Sequence, residues 1–334
     1  MREGKLCCPV NYDPSYLEAI PKAVIERDYG CGDPSRFVRE GDTVLDLGAG
    51  GGTACFIAAQ IVGPSGRVIG VDMTDEMLEL ARGNQATVAA NIGFDNVEFR
   101  HGNIQDLRTD LDLVDTYLRE QPLASARDYK SFQDYLGKIR REAPLIASES
   151  IDVIISNCVL NLVSDQEKLA LFREMYRVLN LGGRIAVSDI ISDEESPEHL
   201  KANPELWSGC VSGALQEHAF LRLLEDVGFY GIEIAQYEQH PWRVVEGIEY
   251  RSATITAMKG KEGPCFEKNQ AVIYKGPWKR VEDDDGHVYE RGQRMAVCAK
   301  TFDILTKSPY AQAMIPVPPT RKLQPKKFLI VLAP

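Results

Sequence analysis

Val44-Leu45-Asp46-Leu47-Gly48-Ala49-Gly50-Gly51-Gly52 decides the fold. Thr43–Leu47 is an apolar run of strand length, and Ala54–Val62 beyond the glycines reads as an apolar helix. Glycines between a strand and a helix let the backbone turn sharply and approach a ligand without a Cβ in the way. A dinucleotide fingerprint wants glycines at the first, third and sixth positions. Counted from Gly48 the sixth is Thr53, which weakens a nicotinamide reading. Arg67-Val68-Ile69-Gly70-Val71-Asp72 forms a second strand that ends in an acid. Thr74 opens the next helix, with Asp75 and Glu76 in the first turn where the helix dipole favours anions.

Outward from this core the alternation continues. Asn96–Arg100 and Ile151–Ser156 read as the third and fourth strands. Ser164-Asp165-Gln166-Glu167 is a capping box that opens an amphipathic helix, which Gly182-Gly183 ends. Arg184–Asp189 is the fifth strand, and Leu215–Val227 a helix closed by Gly228. Such alternation predicts an α/β fold, a doubly wound Rossmann-like sheet with helices on both faces. Residues 107–150 read as a polar helical insert, with Val114–Leu118 and Tyr129–Ile139 as its helices. From about residue 239 the pattern changes to strands such as Arg251–Met258 and Gln270–Tyr274, read as a smaller C-terminal α+β domain. The expected organisation is an N-terminal segment 1–27, a main domain 28–238 and a tail domain 239–334.

A chain of 334 residues buries a sizeable core, and a net charge of −11 argues against a broad nucleic-acid footprint. No apolar run approaches the span of a bilayer, and Met1–Leu6 has no apolar core of the kind export signals carry. The eight cysteines, with no Cys-x-x-Cys among them, are therefore expected as reduced thiols in a cytoplasmic protein.

The loop resembles the Asp-x-Gly-x-Gly-x-Gly loops of S-adenosylmethionine enzymes, so that cofactor is expected. Asp46 would face its amino group, and Gly48, Ala49 and Gly50 would line the loop. Asp72 would accept the ribose hydroxyls, a task suited to an ionised carboxylate. Met73 is placed to pack on the adenine, Asn103 and Ile104 to line its edge, and Tyr29 and Gly30 to cover the methionine end.

Cys158 follows the fourth strand at its carboxyl end, where open α/β sheets bind ligands. Cys210 follows Trp207-Ser208-Gly209, and the fold can bring both loops to one rim. Thiolates suit soft centres, and trivalent arsenic is one. Its lone pair needs no proton removed before it attacks a methyl group, so alignment carries the reaction. The bland alternative is packing, since free cysteine is among the most buried residue types. Cys265 and Cys298 read that way, and Cys55 is intermediate. Cys7 and Cys8, on a polar segment, read as a mobile thiol relay. Asn157 and Asn161 bracket Cys158 and read equally as substrate-orienting groups or loop caps. Glu282–His287 reads as a solvated acidic turn.

Tyr29-Gly30-Cys31-Gly32, Val44–Gly52, Gly70–Met73, Ile155–Leu162, Gly183–Asp189 and Trp207–Leu215 resemble arsenite methyltransferases. Arg251–Thr254 and Ala271–Tyr274 look like that family's C-terminal domain. The resemblance implies methyl transfer from S-adenosylmethionine to thiolate-bound trivalent arsenic. It implies Cys158 and Cys210 as the arsenic-binding pair, and Cys7 or Cys8 as a cysteine that forms a disulfide during reduction. Glutathione or thioredoxin is the implied reductant. A further family cysteine expected near the first strand has no exact match, since Asp42 and Ala49 occupy that neighbourhood; Cys55 lies two helical turns on. Two other readings use the same loop: methyl or adenosyl transfer to another small molecule or an organoarsenical, and a non-catalytic arsenical-binding protein.

Overall fold

The computed structural model describes residues 12–207 and 209–320, together with the backbone of 326 and 327. Cys7 and Cys8 lie outside the described residues. The chain divides into two units, Met1–Gly260 and Lys261–Pro334.

The first unit is built on a mixed sheet. Its strands are β1 (Thr43–Leu47), β2 (Arg67–Asp72), β3 (Val97–His101), β4 (Ile151–Asn157), β5 (Leu179–Ser192), β6 (Tyr230–Tyr237) and β7 (Ile248–Met258). They lie in the order β3-β2-β1-β4-β5-β7-β6. The first five are parallel, while β7 runs antiparallel to β5 and to β6. Short strands Leu215–Gln216 and Arg243–Val245 pair at the margins of β5 and β7.

The longer helices of this unit are α1 (Thr53–Val62), α2 (Asp75–Ile92), α3 (Leu111–Glu120), α4 (Ala126–Glu142), α5 (Asp165–Val178) and α6 (Glu217–Val227). Successive strand residues point to opposite faces, and both faces are covered. Val44, Val153 and Ile155 pack with Phe56 of α1 and Leu78 of α2. Their neighbours Leu45 and Ile154 pack on the other side with Phe172 of α5 and Phe220 of α6. Near-continuous apolar strands follow from this two-sided burial. Asp110 accepts N–H bonds from Asp112 and Leu113 to start α3, and Ser125 caps α4. Tyr117 stacks on Tyr135 with ring centroids 4.4 Å apart, so residues 107–150 contain a helical hairpin.

One boundary is corrected. The tail domain expected from 239 does not start there, because Ile248–Met258 is β7 and pairs with β5 along nine consecutive residues from Tyr250 to Met258. The second unit begins at Lys261. There Ala271–Tyr274 lies between Arg294–Ala296 and Met314–Val317 in an antiparallel sheet, over a core of Val272, Tyr274, Tyr289, Leu305 and Met314. Its helix α7 spans Ala299–Leu305. The acidic stretch is a turn in which Asp283 accepts hydrogen bonds from the His287 N–H and the Tyr289 hydroxyl.

Candidate functional site

β1 lies between β2, which follows it, and β4, which comes later, so strand order reverses at the β1/β4 junction. That is where open α/β sheets leave a crevice at the strands' carboxyl ends. A cavity of about 450 Å³ occupies it, lined among others by Asp28, Tyr29, Gly30, Asp46, Gly48, Ala49, Gly50, Asp72, Met73, Ile104, Asn157 and Cys158. The volume lies within the range of small-molecule sites.

The loop geometry is enforced by sterics. Gly48 has φ +74°, and a Cβ there would stand 2.4 Å from Val159 Cγ1. Asp72, at the end of β2, accepts the Gly50 N–H at 2.8 Å and the Thr74 N–H at 2.9 Å, one on each oxygen. A carboxylate oxygen has a second lone pair, so both remain able to accept from a diol. Thr74 starts α2 without a side-chain cap bond. Met73 and Tyr29 are 64% and 55% exposed, large apolar side chains held at the rim.

Asp28, Asp46 and Asp72 all line the cavity. Asp46 is buried and takes the Cys55 thiol at 3.1 Å; burial, with Asp72 and Asp28 adding repulsion, pushes it up to about 7. Burial likewise raises Asp28 to about 6, against hydrogen bonds from Tyr12 and the Gly30 N–H. An S-adenosylmethionine molecule, bearing a sulfonium and an ammonium, matches these acids, the diol-ready Asp72 and the apolar rim.

The sulfur chemistry differs from expectation. Cys158 is bonded to Cys31, with Cα atoms 5.8 Å apart, so the eight-thiol reading is corrected at this pair. Burying two sulfurs side by side at the end of β4 makes the bond geometrically available. Cys210 belongs to the same buried cluster as Cys31 and Cys158, and its thiol points at the Cys158 carbonyl at 3.5 Å. Cys158 and Cys210 have φ values of +57° and +58°, a left-handed conformation uncommon outside glycine.

Asn157 explains why Cys31 arrives there. Its Oδ1 accepts the N–H groups of Cys31 and Gly32 at 2.9 and 3.1 Å, and its Nδ2 donates to the Gly32 carbonyl at 2.7 Å and to the Tyr12 hydroxyl at 2.9 Å. Asn157 therefore lines the cavity while its amide holds the 30–32 turn. Ser252 of β7 donates to the Cys31 carbonyl at 2.7 Å from the other side. Asn161 holds the second cysteine loop, donating to the carbonyls of Ile190 and Cys210 at 2.7 and 3.1 Å. Asp189 accepts N–H bonds from Leu160 and Ile190 at 2.9 and 2.8 Å, and burial pushes it up to about 7. One of its oxygens lies within 4.8 Å of both bonded sulfurs.

Two expected residues fall outside this arrangement. Asn103 does not line the cavity, although Gly102 and Ile104 on either side do. Cys55 is fully buried in α1 against Asp46, where burial raises its thiol well above the ordinary value, so it packs rather than joining the sulfur cluster. Three residues were missed by sequence reading: Cys31 as a sulfur partner, Asp28 and Asp189. Asp189 had a usable signal, since an acid near the carboxyl end of a central strand faces the crevice side of such folds.

A methyltransferase domain model matches residues 39–141 and 124–228, and a domain of unknown function matches 261–330. An arsenite methyltransferase of Aquipseudomonas alcaligenes is 32% identical over 91% of this chain and 82% of its own length. The Mus musculus arsenite methyltransferase is 31% identical over 95% of this chain and 81% of its own. Among solved structures, an arsenic(III) S-adenosylmethionine methyltransferase from Chlamydomonas reinhardtii matches with a TM-score of 0.60 at 28% identity, covering 96% of this chain and all of that one. With a glycine loop, a diol-ready acid and a cysteine cluster at one crevice, the chain belongs to the arsenite methyltransferase family and is an S-adenosylmethionine-dependent methyltransferase.

Proposed function

We propose that this chain methylates trivalent arsenic held by the thiolates of Cys158, Cys210 and Cys31. The observation that carries the reading is the common buried cluster of these three cysteines, with Cys158 also lining the cavity that Asp46 and Asp72 line. Relatives named arsenite methyltransferase supply the chemical class of acceptor.

When bound, S-adenosylmethionine supplies an electrophilic methyl group on a sulfonium. Asp72 is the acceptor for the ribose hydroxyls, Asp46 and Asp28 offset the positive charge, and Tyr29 and Met73 flank the cofactor's apolar surface. In the oxidised pair Cys158 has no thiolate to offer, so a thiol reductant must first exchange with the Cys31–Cys158 bond. Two reductant sulfurs become a disulfide, and Cys31 and Cys158 become thiols. Each thiol then displaces one hydroxyl of arsenous acid as water. Ile190, Leu206, Val211 and Tyr250 surround the sulfurs and keep the site dry. Trivalent arsenic on sulfur keeps its lone pair until that pair becomes the bond to the methyl carbon, so no side chain has to remove a proton from the acceptor atom. The methylated arsenic is then pentavalent, S-adenosylhomocysteine is the leaving group, and two electrons from the thiol reductant return arsenic to the trivalent state. Positioning is the protein's contribution.

The test incubates purified chain with arsenite, S-adenosylmethionine and glutathione, and measures S-adenosylhomocysteine and the masses of arsenic products. Methylated arsenic that disappears in Cys158→Ser and Cys210→Ser is the expected result. Full methylation by Cys158→Ser overturns the assignment, and an adenosylated arsenical would replace methyl with adenosyl transfer.

A further inference from the structure

In the second unit, Cys265 and Cys298 are separated by 33 positions yet their thiols lie within hydrogen-bonding reach of one another. Cys265 immediately precedes the short strand Phe266–Glu267, and Cys298 is the residue from which α7 starts. That helix packs on that strand, which brings the two sulfurs together. Neither is in a disulfide.

The pair does not look like packing. Cys298 is 6% exposed, and burial alone would raise its thiol as it raises Cys55. Instead its sulfur accepts the Thr301 N–H at 3.4 Å and meets the Thr301 hydroxyl at 3.2 Å. These bonds hold it below the usual thiol range. Cys265 is only part-buried, giving the deeper sulfur an open neighbour. Burial and the hydrogen bond to the Cys298 sulfur hold the Cys265 thiol above the usual range, with Lys300 only partly offsetting them, so Cys298 is the readier sulfur of the pair.

We propose that Cys265 and Cys298 form a second, two-sulfur binding site for a monosubstituted trivalent arsenical. The choice of ligand follows from the number of donors. Among the described residues, the one group of three or more His, Cys, Asp or Glu ligand atoms is Cys31, Cys158 and Asp189. Among the described residues no third such atom joins the C-terminal pair. Zinc, which takes four ligands in structural sites, is therefore poorly matched. An arsenic centre that already carries one carbon needs two sulfurs. Both thiols lose their protons to the two departing hydroxyls: RAs(OH)₂ and two thiols give RAs(S-Cys)₂ and two waters, with arsenic remaining trivalent. The species of this class that a methyl-transfer cycle on arsenite creates, once a thiol reductant has returned the methylated arsenic from the pentavalent to the trivalent state, is methylarsenous acid. That identity rests on the arsenic chemistry proposed above; the two-sulfur site itself does not.

The test uses the full chain carrying Cys7→Ser, Cys8→Ser, Cys31→Ser, Cys158→Ser and Cys210→Ser, reduced with a phosphine so that no added thiol competes. Methylarsenous acid is titrated in and read by intact mass. One methylarsenic per chain, gained with loss of two waters, is expected. Adding Cys298→Ser or Cys265→Ser should weaken binding about a hundredfold, because the second thiol acts at high effective concentration. Absence of the two-water-loss adduct overturns the proposal, as does its survival in both single-serine variants. Because the five-serine chain can fail to fold, the wild-type chain gives a parallel readout. Methylarsenous acid should protect the Cys265 and Cys298 peptides together from alkylation, and their unchanged labelling in the folded wild-type chain overturns the site. Cys298→Ser in the otherwise wild-type chain should leave arsenite methylation intact. An adduct without arsenite methylation by the wild type would support the site and remove the methyl-transfer reading.

Discussion

Asn157 uses its one side-chain amide on four partners, and three of them belong to the turn that carries Cys31. Truncation to alanine leaves buried backbone groups unpaired, at about 1–3 kcal/mol for each such group. Asn157→Ala should therefore lose at least ~2 kcal/mol in denaturant titration. Peptide mapping should show most chains without the Cys31–Cys158 bond, and an intact bond at unchanged stability would contradict this account. Asp46 and Asp28 make a second prediction. Both are raised by burial, to about 7 and about 6. In the ligand-free chain the folded state thus holds protons between pH 4 and 7 that the unfolded state has released, so their contribution to stability falls as pH rises through that window. A cationic cofactor favours the ionised forms, so its affinity should climb from pH 5 to 8. Asp46→Asn should flatten the upper part of that climb in calorimetric titrations, and a wild-type affinity independent of pH would refute the electrostatic role. The glycines of this site, with Asp46 and Asp72, were legible because a strand, a glycine turn and a terminal Asp are local patterns; Asp28 and Asp189 lie outside that pattern. Cys31 was not, since its partner is 127 positions away and the turn that delivers it is fixed by Asn157, a similar distance along the chain.

Among elements, β1 and β4 matter most, since their carboxyl ends form the crevice and their alternating residues tie it to two separate cores. Phe172 of α5 is fully buried against this framework and packs on Phe220 with ring centroids 5.5 Å apart. Phe172→Ala should cost ~3–5 kcal/mol, read from the urea midpoint. A loss under ~1 kcal/mol would mean that the α5 side of the sheet contributes far less than its burial implies. Strands and helices could be read from apolar periodicity, including both helices of the insert. Membership of a sheet could not. Arg251–Met258 has the composition of a strand wherever it pairs, and only a long-range partner, β5, assigns it to the first unit rather than the tail. The left-handed backbone at Cys158 and Cys210 was equally hidden, because a cysteine gives no local signal for positive φ.

At the scale of the whole chain, oxidation state should govern activity. Protein purified without reductant is expected to bind S-adenosylmethionine yet fail to methylate arsenite, with turnover restored by a phosphine or a dithiol. Equal rates with and without reductant would sink that expectation. The Cys31–Cys158 bond joins residues 127 positions apart and so closes a large loop of the first unit. By the chain-entropy argument such a bond is worth on the order of 2–5 kcal/mol, since it restricts the unfolded ensemble. The oxidised chain is then its most heat-resistant form, and a reductant that opens the bond should also loosen the fold. Arsenic bridging the same two sulfurs would close the same loop. A ligand bridging those sulfurs would thus act as a removable brace, so that its departure, rather than its arrival, leaves the folded chain least secure.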